Sequence, residues 1–193
     1  LILLGHPGGL HRMYPRLAAR GRHCAASGFA AATLELPWAG DRPRSAAADE
    51  ARADLHRALA AGDPVDDGIV DRLVLPLDAL LGLPGIGGPA GYAGGVTAIG
   101  VRLALVEPRI SAALLFAGSY VPRALFEDAR QVTIPMFVLL QWDDEGNDRQ
   151  MALDLFDALG SREKTLHANM GGHTGVPQHE SDAANGFFAR HLR

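Results

Sequence analysis

The sequence predicts an α/β fold in which a mostly parallel sheet of about six strands lies between two layers of helices. Two observations lead to this prediction. Short, continuous apolar runs alternate with segments of helical periodicity, and strands that are apolar throughout are typical of parallel sheets covered on both faces. The length of 193 residues suits one domain. We therefore expect a single three-layer domain over residues 1–193.

The first half of the chain opens with a buried strand that runs into a glycine-rich loop. Pro15 suits the first turn of the helix that follows, and Gly28 suits its end. The elements predicted here are, in order, a strand at 1–4, a helix ending before Gly28, a strand at 29–36, a helix from Ser45 to about Ala61, and an apolar helical stripe over 69–81 that bends at Pro76.

The second half repeats the alternation of strand and helix. Residues 96–106 are apolar almost all round, as in a helix packed deep against a sheet. The elements predicted here are a short strand at 89–93, the deep helix at 96–106, a strand at 111–117, a helix at 121–130, a strand at 134–141, a helix from Met151 to Gly160, a strand at 164–168 and a helix at 183–192.

Composition excludes several classes of protein. Eighteen basic and twenty-two acidic side chains give a net charge of −4, which argues against binding to nucleic acid or an anionic membrane. The longest apolar run is too short to span a bilayer. One cysteine, Cys24, allows neither an internal disulfide nor a thiolate zinc cluster. We expect a small-molecule substrate, no cofactor or metal, and a monomer or homodimer.

The chain begins at Leu1, which already lies in the first predicted strand. We therefore expect natural residues upstream of it, including further strands and any targeting signal. The scarcity of cysteine favours a cytoplasmic location.

Two loops that follow predicted strands are suited to supporting acyl transfer. Residues 91–95 have the frame G-x-S-x-G, in which small residues let the chain turn sharply and lift the central side chain above the sheet. The central residue here is Ala93, which has no nucleophilic atom. The loop at 6–9 carries glycines whose backbone N–H groups could stabilise an oxyanion. Taken singly, residues 91–95 are equally compatible with a plain glycine-rich turn, and the loop at 6–9 fits a plain turn of glycine and proline better than an oxyanion site.

Two later loops carry an acid and a base. The acidic cluster at 143–145 follows the predicted strand at 134–141, where a carboxylate can orient a histidine and stabilise its protonated form. His173 lies in a glycine-rich loop after the last predicted strand, where it can act as a general base. An exposed acidic loop and an exposed histidine are the ordinary alternatives. The chain order of nucleophile, acid and histidine is nevertheless that of the α/β-hydrolases.

On these four loops the sequence resembles the α/β-hydrolase superfamily, and among its members the compact, dienelactone-hydrolase-like proteins. The resemblance covers nearly the whole chain. It implies that Ala93 occupies the nucleophile position, Asp144 the acid position with Asp143 as the fallback, and His173 the base position, with the backbone amides of Gly8 and Gly94 forming the oxyanion hole. It also implies that there is no separate lid domain, since only about fourteen residues lie between Ser119 and Ile134.

The departure from that pattern lies at the nucleophile, where relatives carry serine or cysteine. Two explanations remain open: Ala93 replaces the nucleophile of an ester, thioester or lactone hydrolase as an inactivating substitution, or the natural protein is a non-catalytic relative that binds a small ligand. Four aromatic residues follow predicted strands and are candidates for lining an apolar substrate cleft, namely Trp38, Tyr92, Tyr120 and Trp142.

Two other classes of function are poorly supported. Residues 85–87 lack the third glycine of the dinucleotide-binding pattern G-x-G-x-x-G, and the phosphate-binding sequence G-K-[ST] does not occur. His167, His173 and His179 are six residues apart, a spacing that suits a metal site on neither a helix face nor a strand face.

Overall fold

A computed structural model of the chain describes residues 1–6, 10–34, 77–116 and 121–192, together with residues 53, 57, 58, 61, 63 and 74. The described residues form six strands: β1 (Ile2–Gly5), β2 (Ala31–Ala32), β3 (Ala90–Gly94), β4 (Ile110–Phe116), β5 (Met136–Gln141) and β6 (Lys164–Asn169). They also form five helices of defined extent: α1 (Leu10–Ala26), α2 (Thr97–Val106), α3 (Arg123–Gln131), α4 (Arg149–Ala158) and α5 (His179–His191).

The six strands form one sheet in the order β2-β1-β3-β4-β5-β6, and every neighbouring pair is parallel. From β1 the chain first moves outward to β2 and then returns to place β3 on the other side of β1. The strand order therefore reverses between β1 and β3, and a crevice for ligands opens at the carboxyl ends of such strands. This reversal gives the first structural indication of where a site lies.

Helices cover both faces of the sheet. One apolar cluster joins the sheet to α2, α3 and α4, through side chains such as Val101, Leu125 and Leu155. A second cluster joins the opposite face to α1 and α5, through Leu17 and Phe187. The predicted three-layer α/β fold is confirmed, because strands β1 to β5 contribute side chains to both clusters.

The deep helix is α2, and its residues show why the sequence there is apolar all round. Seven of its ten residues are buried. Gly100 lets this helix approach the sheet closely, since a Cβ at that position would stand 2.7 Å from a methyl carbon of Leu115 and 2.8 Å from the Tyr92 ring. The predicted helix at 96–106 is therefore confirmed, with Val96 as its N-cap residue.

Two predicted boundaries differ from the structure. Helix α1 begins at Leu10, so Pro15 lies inside the helix and not in its first turn. The first four N–H groups of a helix have no partner within it, so a proline at the sixth position removes only one hydrogen bond. The strand predicted at 29–36 is only Ala31–Ala32, because Thr33 and Leu34 depart from strand geometry and residues 35–36 lie outside the described residues.

Two predicted helices lie mainly outside the described residues. Within the one predicted from Ser45 to about Ala61, residues 53, 57, 58 and 61 are helical. Within the one predicted over 69–81, residues 74 and 77–81 are helical, and Leu77 is buried in the cluster beneath α2. Across the described ranges, no helix is both long enough and apolar enough to cross a membrane.

Candidate active site

The carboxyl ends of β1 and β3 lie side by side at the reversal of strand order. Gly5 is paired in register with Gly94, and Leu4 with Ala93. Gly5 tolerates no side chain, since a Cβ there would stand 2.5 Å from the Tyr92 hydroxyl oxygen and 3.0 Å from the Gly94 carbonyl oxygen. The lack of a side chain at Gly5 thus lets the paired ends of β1 and β3 lie close to the Tyr92 side chain.

The turn from β3 into α2 is made by two glycines. Gly94 has a φ of 83° and Gly95 a φ of 75°, both in the left-handed region where a side chain is strained. Ala93 precedes them and is only 1% exposed, with its methyl group in the apolar cluster beneath α1 and α5. The structure thus places the predicted nucleophile position at the end of β3 with its side chain in the core. The assignment of position 93 as the nucleophile position stays a prediction.

The predicted acid and base are in direct contact. Asp144 follows β5 and His173 follows β6, and the His173 Nδ1 atom lies 2.6 Å from Asp144 Oδ2. The Asp144 side chain is 5% exposed and that of His173 is 48% exposed. Because Nδ1 donates to the carboxylate, the Nε2 atom of His173 is left as the nitrogen able to accept a proton.

Asp144 is held as a carboxylate by its surroundings. Burial raises its pKa, but hydrogen bonds from His173, from the Asn147 side chain and from the Gly146 amide outweigh that effect, so the pKa lies below its ordinary value. The Gly146 N–H donates to Oδ1 at 3.1 Å, and Asn147 donates to Oδ2. A carboxylate fixed in this way can orient an imidazole and stabilise its protonated form.

Asp143, the alternative acid, does not contact His173. Its Oδ2 atom accepts a hydrogen bond from the Gly171 amide at 3.1 Å, while its own amide donates to the Gly171 carbonyl. Gln141, buried at the end of β5, donates from Nε2 to the Gly172 carbonyl at 3.1 Å. These contacts attach the loop that carries His173 to the end of β5.

The imidazole lies beside the end of β4 as well. Its ring meets the Phe116 ring edge-on, with the centroids 5.1 Å apart. The Phe116 carbonyl accepts a hydrogen bond from the Thr97 hydroxyl at 2.9 Å, which ties the end of β4 to the first residue of α2. An open cleft of about 780 Å³ lies over the acid–histidine pair, within the range of small-molecule sites. Its described lining residues are Asp143, Asp144, Glu145, Gly146, Asn147, Gly172 and His173.

Five further residues were predicted to belong to the site, and neither of the two that the structure describes lines this cleft. Gly8, Trp38 and Tyr120 lie outside the described residues. Tyr92 packs on the α2 side of the sheet, where it lines a cavity of about 20 Å³ that has room for one water molecule. Trp142 is 36% exposed and lies beneath the Arg149 guanidinium, whose central carbon is 4.5 Å from the ring centroid. Neither aromatic side chain lines the cleft over His173.

Three residues that contact this pair and its loop were not singled out from the sequence. Asn147 reaches Asp144 from within the same loop, Gln141 holds the histidine loop, and Phe116 packs on the imidazole. Gln141 carried a usable signal, because a polar residue closing an otherwise apolar strand must find a polar partner. Within the described ranges, no group of three or more His, Cys, Asp or Glu side chains is arranged to hold a metal ion.

A parallel sheet with a reversal of strand order, and an acid–histidine pair at its carboxyl edge, are features typical of the α/β-hydrolase fold. A scan against protein-family models gives no match, and a search of curated proteins gives none either. Comparison with solved structures, in contrast, gives many matches across the whole chain.

Solved structures that resemble this chain include two esterases and a dienelactone hydrolase. A cold-adapted esterase from an Arctic intertidal metagenomic library shares 29% identity, with a TM-score of 0.80 over 100% of this chain and 82% of the esterase. A dienelactone hydrolase from Anabaena variabilis shares 20% identity, with a TM-score of 0.70 over 100% of this chain and 86% of its own. An esterase of Pyrococcus furiosus shares 9% identity, with a TM-score of 0.74 over 100% of this chain and 83% of the esterase.

Proposed function

We propose that this chain has the active-site scaffold of a hydrolase for small carboxylic esters, thioesters or lactones. The observation that supports this most strongly is the contact between Asp144 and His173 at the carboxyl edge of the sheet, beneath an open cleft. The likeness to solved esterases over the full chain supports the same reaction class.

The proposed mechanism assigns one role to each element of the site. A nucleophilic side chain at position 93 attacks the ester carbonyl, and His173 Nε2 removes its proton and passes it to the leaving alcohol, which leaves the acyl group on residue 93. His173 Nε2 then takes a proton from a water molecule that attacks this acyl group, and it returns the proton to residue 93 as the carboxylic acid departs. Asp144 fixes the imidazole and stabilises its protonated form, with its carboxylate oxygens already held by Asn147 and Gly146. The amides of Gly8 and Gly94 stabilise the oxyanion of the tetrahedral intermediate.

With alanine at position 93, the proposed cycle lacks its first step. Such a protein binds a substrate without turning it over, apart from the residual rate due to binding and the oxyanion hole. A second candidate is a non-catalytic protein that binds a small ligand. The burial of the Ala93 methyl group in an apolar cluster favours this candidate, since such a side chain contributes to packing and not to a cleft.

Restoring a nucleophile separates the two candidates. We expect Ala93→Ser and Ala93→Cys to hydrolyse p-nitrophenyl acetate at least about a hundredfold faster than the parent chain, because a positioned general base contributes on the order of 10²–10⁴ in rate. Initial rates measured by nitrophenolate release give the comparison, with each variant's fold verified by circular dichroism.

Gly94→Ser is the matched control. It places the same hydroxyl one residue later, at a strained φ and with its Cβ 2.9 Å from Arg20 Nη1. The proposal expects no gain from this variant. Hydrolysis with serine at 94 and not at 93 would move the nucleophile position by one residue, and no gain with any of the three variants would favour the non-catalytic protein.

A further inference from the structure

Helix α1 carries an unbalanced stripe of positive charge. Arg12, Arg16 and Arg20 follow one another at intervals of four residues, so they lie along one side of the helix. The helix contains no Asp or Glu to neutralise them. Like charges at this spacing repel, and an anion bound beside them would relieve that repulsion.

Arg20 lies where α1 meets the sheet. It falls between Leu17 and Cys24, the two buried residues of the helix. Helical side chains lean towards the N-terminus of their helix, and α1 starts at the carboxyl edge of the sheet just after β1. Arg20 accordingly extends towards the end of β3, where its Nη1 atom stands 2.9 Å from the position that a Cβ on Gly94 would occupy.

The guanidinium has no acceptor in the described part of the chain. Its electrostatic neighbours there are Cys24, Arg16 and Tyr92, none of which is a carboxylate. Burial lowers the pKa of Arg20, and the charge of Arg16 lowers it further, while Cys24 and Tyr92 oppose the shift. A partly buried arginine without a carboxylate partner is rare in proteins, because a desolvated charge is costly unless it is paired.

A second positive pole lies at the same end of the sheet. Helix α2 begins at Thr97, three residues after Gly94, and its N-cap residue Val96 makes no side-chain hydrogen bond to the helix. The Thr97 hydroxyl does not serve as a cap either, since it donates to the Phe116 carbonyl. The free N–H groups and the dipole of a helix N-terminus favour a negative charge nearby.

We propose that Arg20 binds the carboxylate group of a small organic acid at the carboxyl end of β3. The flat guanidinium donates two parallel N–H···O bonds to the flat carboxylate, a geometry that only arginine offers. A single negative charge matches Arg20, whose guanidinium reaches Gly94 within the described part of the chain. This binding needs no turnover, so it stands or falls separately from the proposed ester hydrolysis.

The test uses the parent chain with sodium butanoate and, as a neutral counterpart of the same shape, butanamide. Isothermal titration gives the affinity, and two-dimensional ¹H–¹⁵N NMR reports where binding occurs. We expect saturable binding of butanoate, with the largest shifts at the Gly94 and Gly95 amides and the Arg20 side chain, and binding of butanamide that is at least about tenfold weaker.

The matched variants are Arg20→Met and Arg22→Met, which remove one arginine each from the same helix. Arg22 is exposed and lies off the stripe. Arg20→Met should weaken butanoate binding about tenfold or more, Arg20→Lys should weaken it less, and Arg22→Met should leave it unchanged. Equal weakening by Arg20→Met and Arg22→Met would overturn the proposal.

Two measurements on the parent chain keep the proposal falsifiable if Arg20→Met does not fold. NMR shifts centred elsewhere, or no saturable butanoate binding at all, would overturn it. Inorganic phosphate is the competing anion, and tighter binding of phosphate than of butanoate at the same residues would overturn the assignment of a carboxylate ligand.

Discussion

Two histidine–carboxylate pairs lie along the last two strands of the sheet, and they are nearly identical as contacts. His173 Nδ1 meets Asp144 at 2.6 Å, and His167 Nδ1 meets Glu180 at 2.8 Å. Both carboxylates are buried, with side-chain exposures of 5% and 4%, and both histidines are partly exposed, at 48% and 39%. The distance between acid and histidine therefore does not distinguish an active site from a structural contact.

The surroundings of the two pairs do distinguish them. Glu180 lies in the first turn of α5, and His167 lies within β6. This pair joins a strand to a helix. Asp144 and His173 lie on two loops at the carboxyl edge, beneath a cleft. Position in the fold, more than the contact itself, supports Asp144 and His173 as the proposed catalytic pair.

The largest expected effect is on catalysis. In the Ala93→Ser background, His173→Ala should lower the rate of p-nitrophenyl acetate hydrolysis at least about a hundredfold, back to about the rate of the parent chain, because removal of a general base leaves only binding and oxyanion stabilisation. His167→Ala in the same background should change the rate less than about threefold. Initial rates at saturating substrate measure both. Comparable losses in the two variants would show that the pairs cannot be separated by function.

For the free energy of unfolding we expect the opposite order, with the Glu180–His167 pair contributing more than the Asp144–His173 pair. Glu180→Gln weakens charge-assisted hydrogen bonds to His167 and Asn169, so we expect it to lower the free energy of unfolding by about 1–3 kcal/mol. His173→Ala removes a half-exposed side chain and leaves the buried Asp144 carboxylate its hydrogen bonds from Gly146 and Asn147, so it should cost less, about 0.5–1 kcal/mol. Urea unfolding followed by circular dichroism gives both values, and a larger loss for His173→Ala would contradict the structural role given to Glu180.

Much of the fold could be predicted from the sequence. The strands β1, β4 and β5 were predictable because each is a mainly apolar run between turn residues, and the deep helix because it is apolar all round. The start of α1 was not, because Pro15 is more often found in a first helical turn than in the second.

The candidate site was predictable in its order along the chain and not in its geometry. The sequence left Asp143 and Asp144 as alternatives, since a loop can turn either carboxylate towards a histidine. Which of the two pairs with His173 depends on contacts between distant strands, such as Gly171 with Asp143. The burial of Ala93 was equally invisible, because it depends on which face of β3 packs against α1 and α5.

A third, smaller effect concerns pH. The pKa of Asp144 is lowered in the folded chain from its ordinary value of 3.8. The stability that this group contributes is therefore fully present above its unfolded pKa and is lost as the pH falls through the lower folded pKa. We expect His173→Phe to raise the pKa of Asp144 towards 3.8, as measured by ¹³C NMR of the carboxyl group. The matched variant His167→Phe should leave that pKa unchanged.

The smallest effect is expected at Asp143, which holds the histidine loop without contacting the imidazole. In the Ala93→Ser background, Asp143→Asn should lower the rate of hydrolysis by roughly two- to fivefold, since it weakens one hydrogen bond to the Gly171 amide and leaves the Asp144–His173 contact intact. Asp144→Asn should cost far more, because an amide favours the wrong tautomer of His173. If the two substitutions exchanged their effects, Asp143 would be the acid. The Asp144–His173 contact would then be structural, like the Glu180–His167 contact.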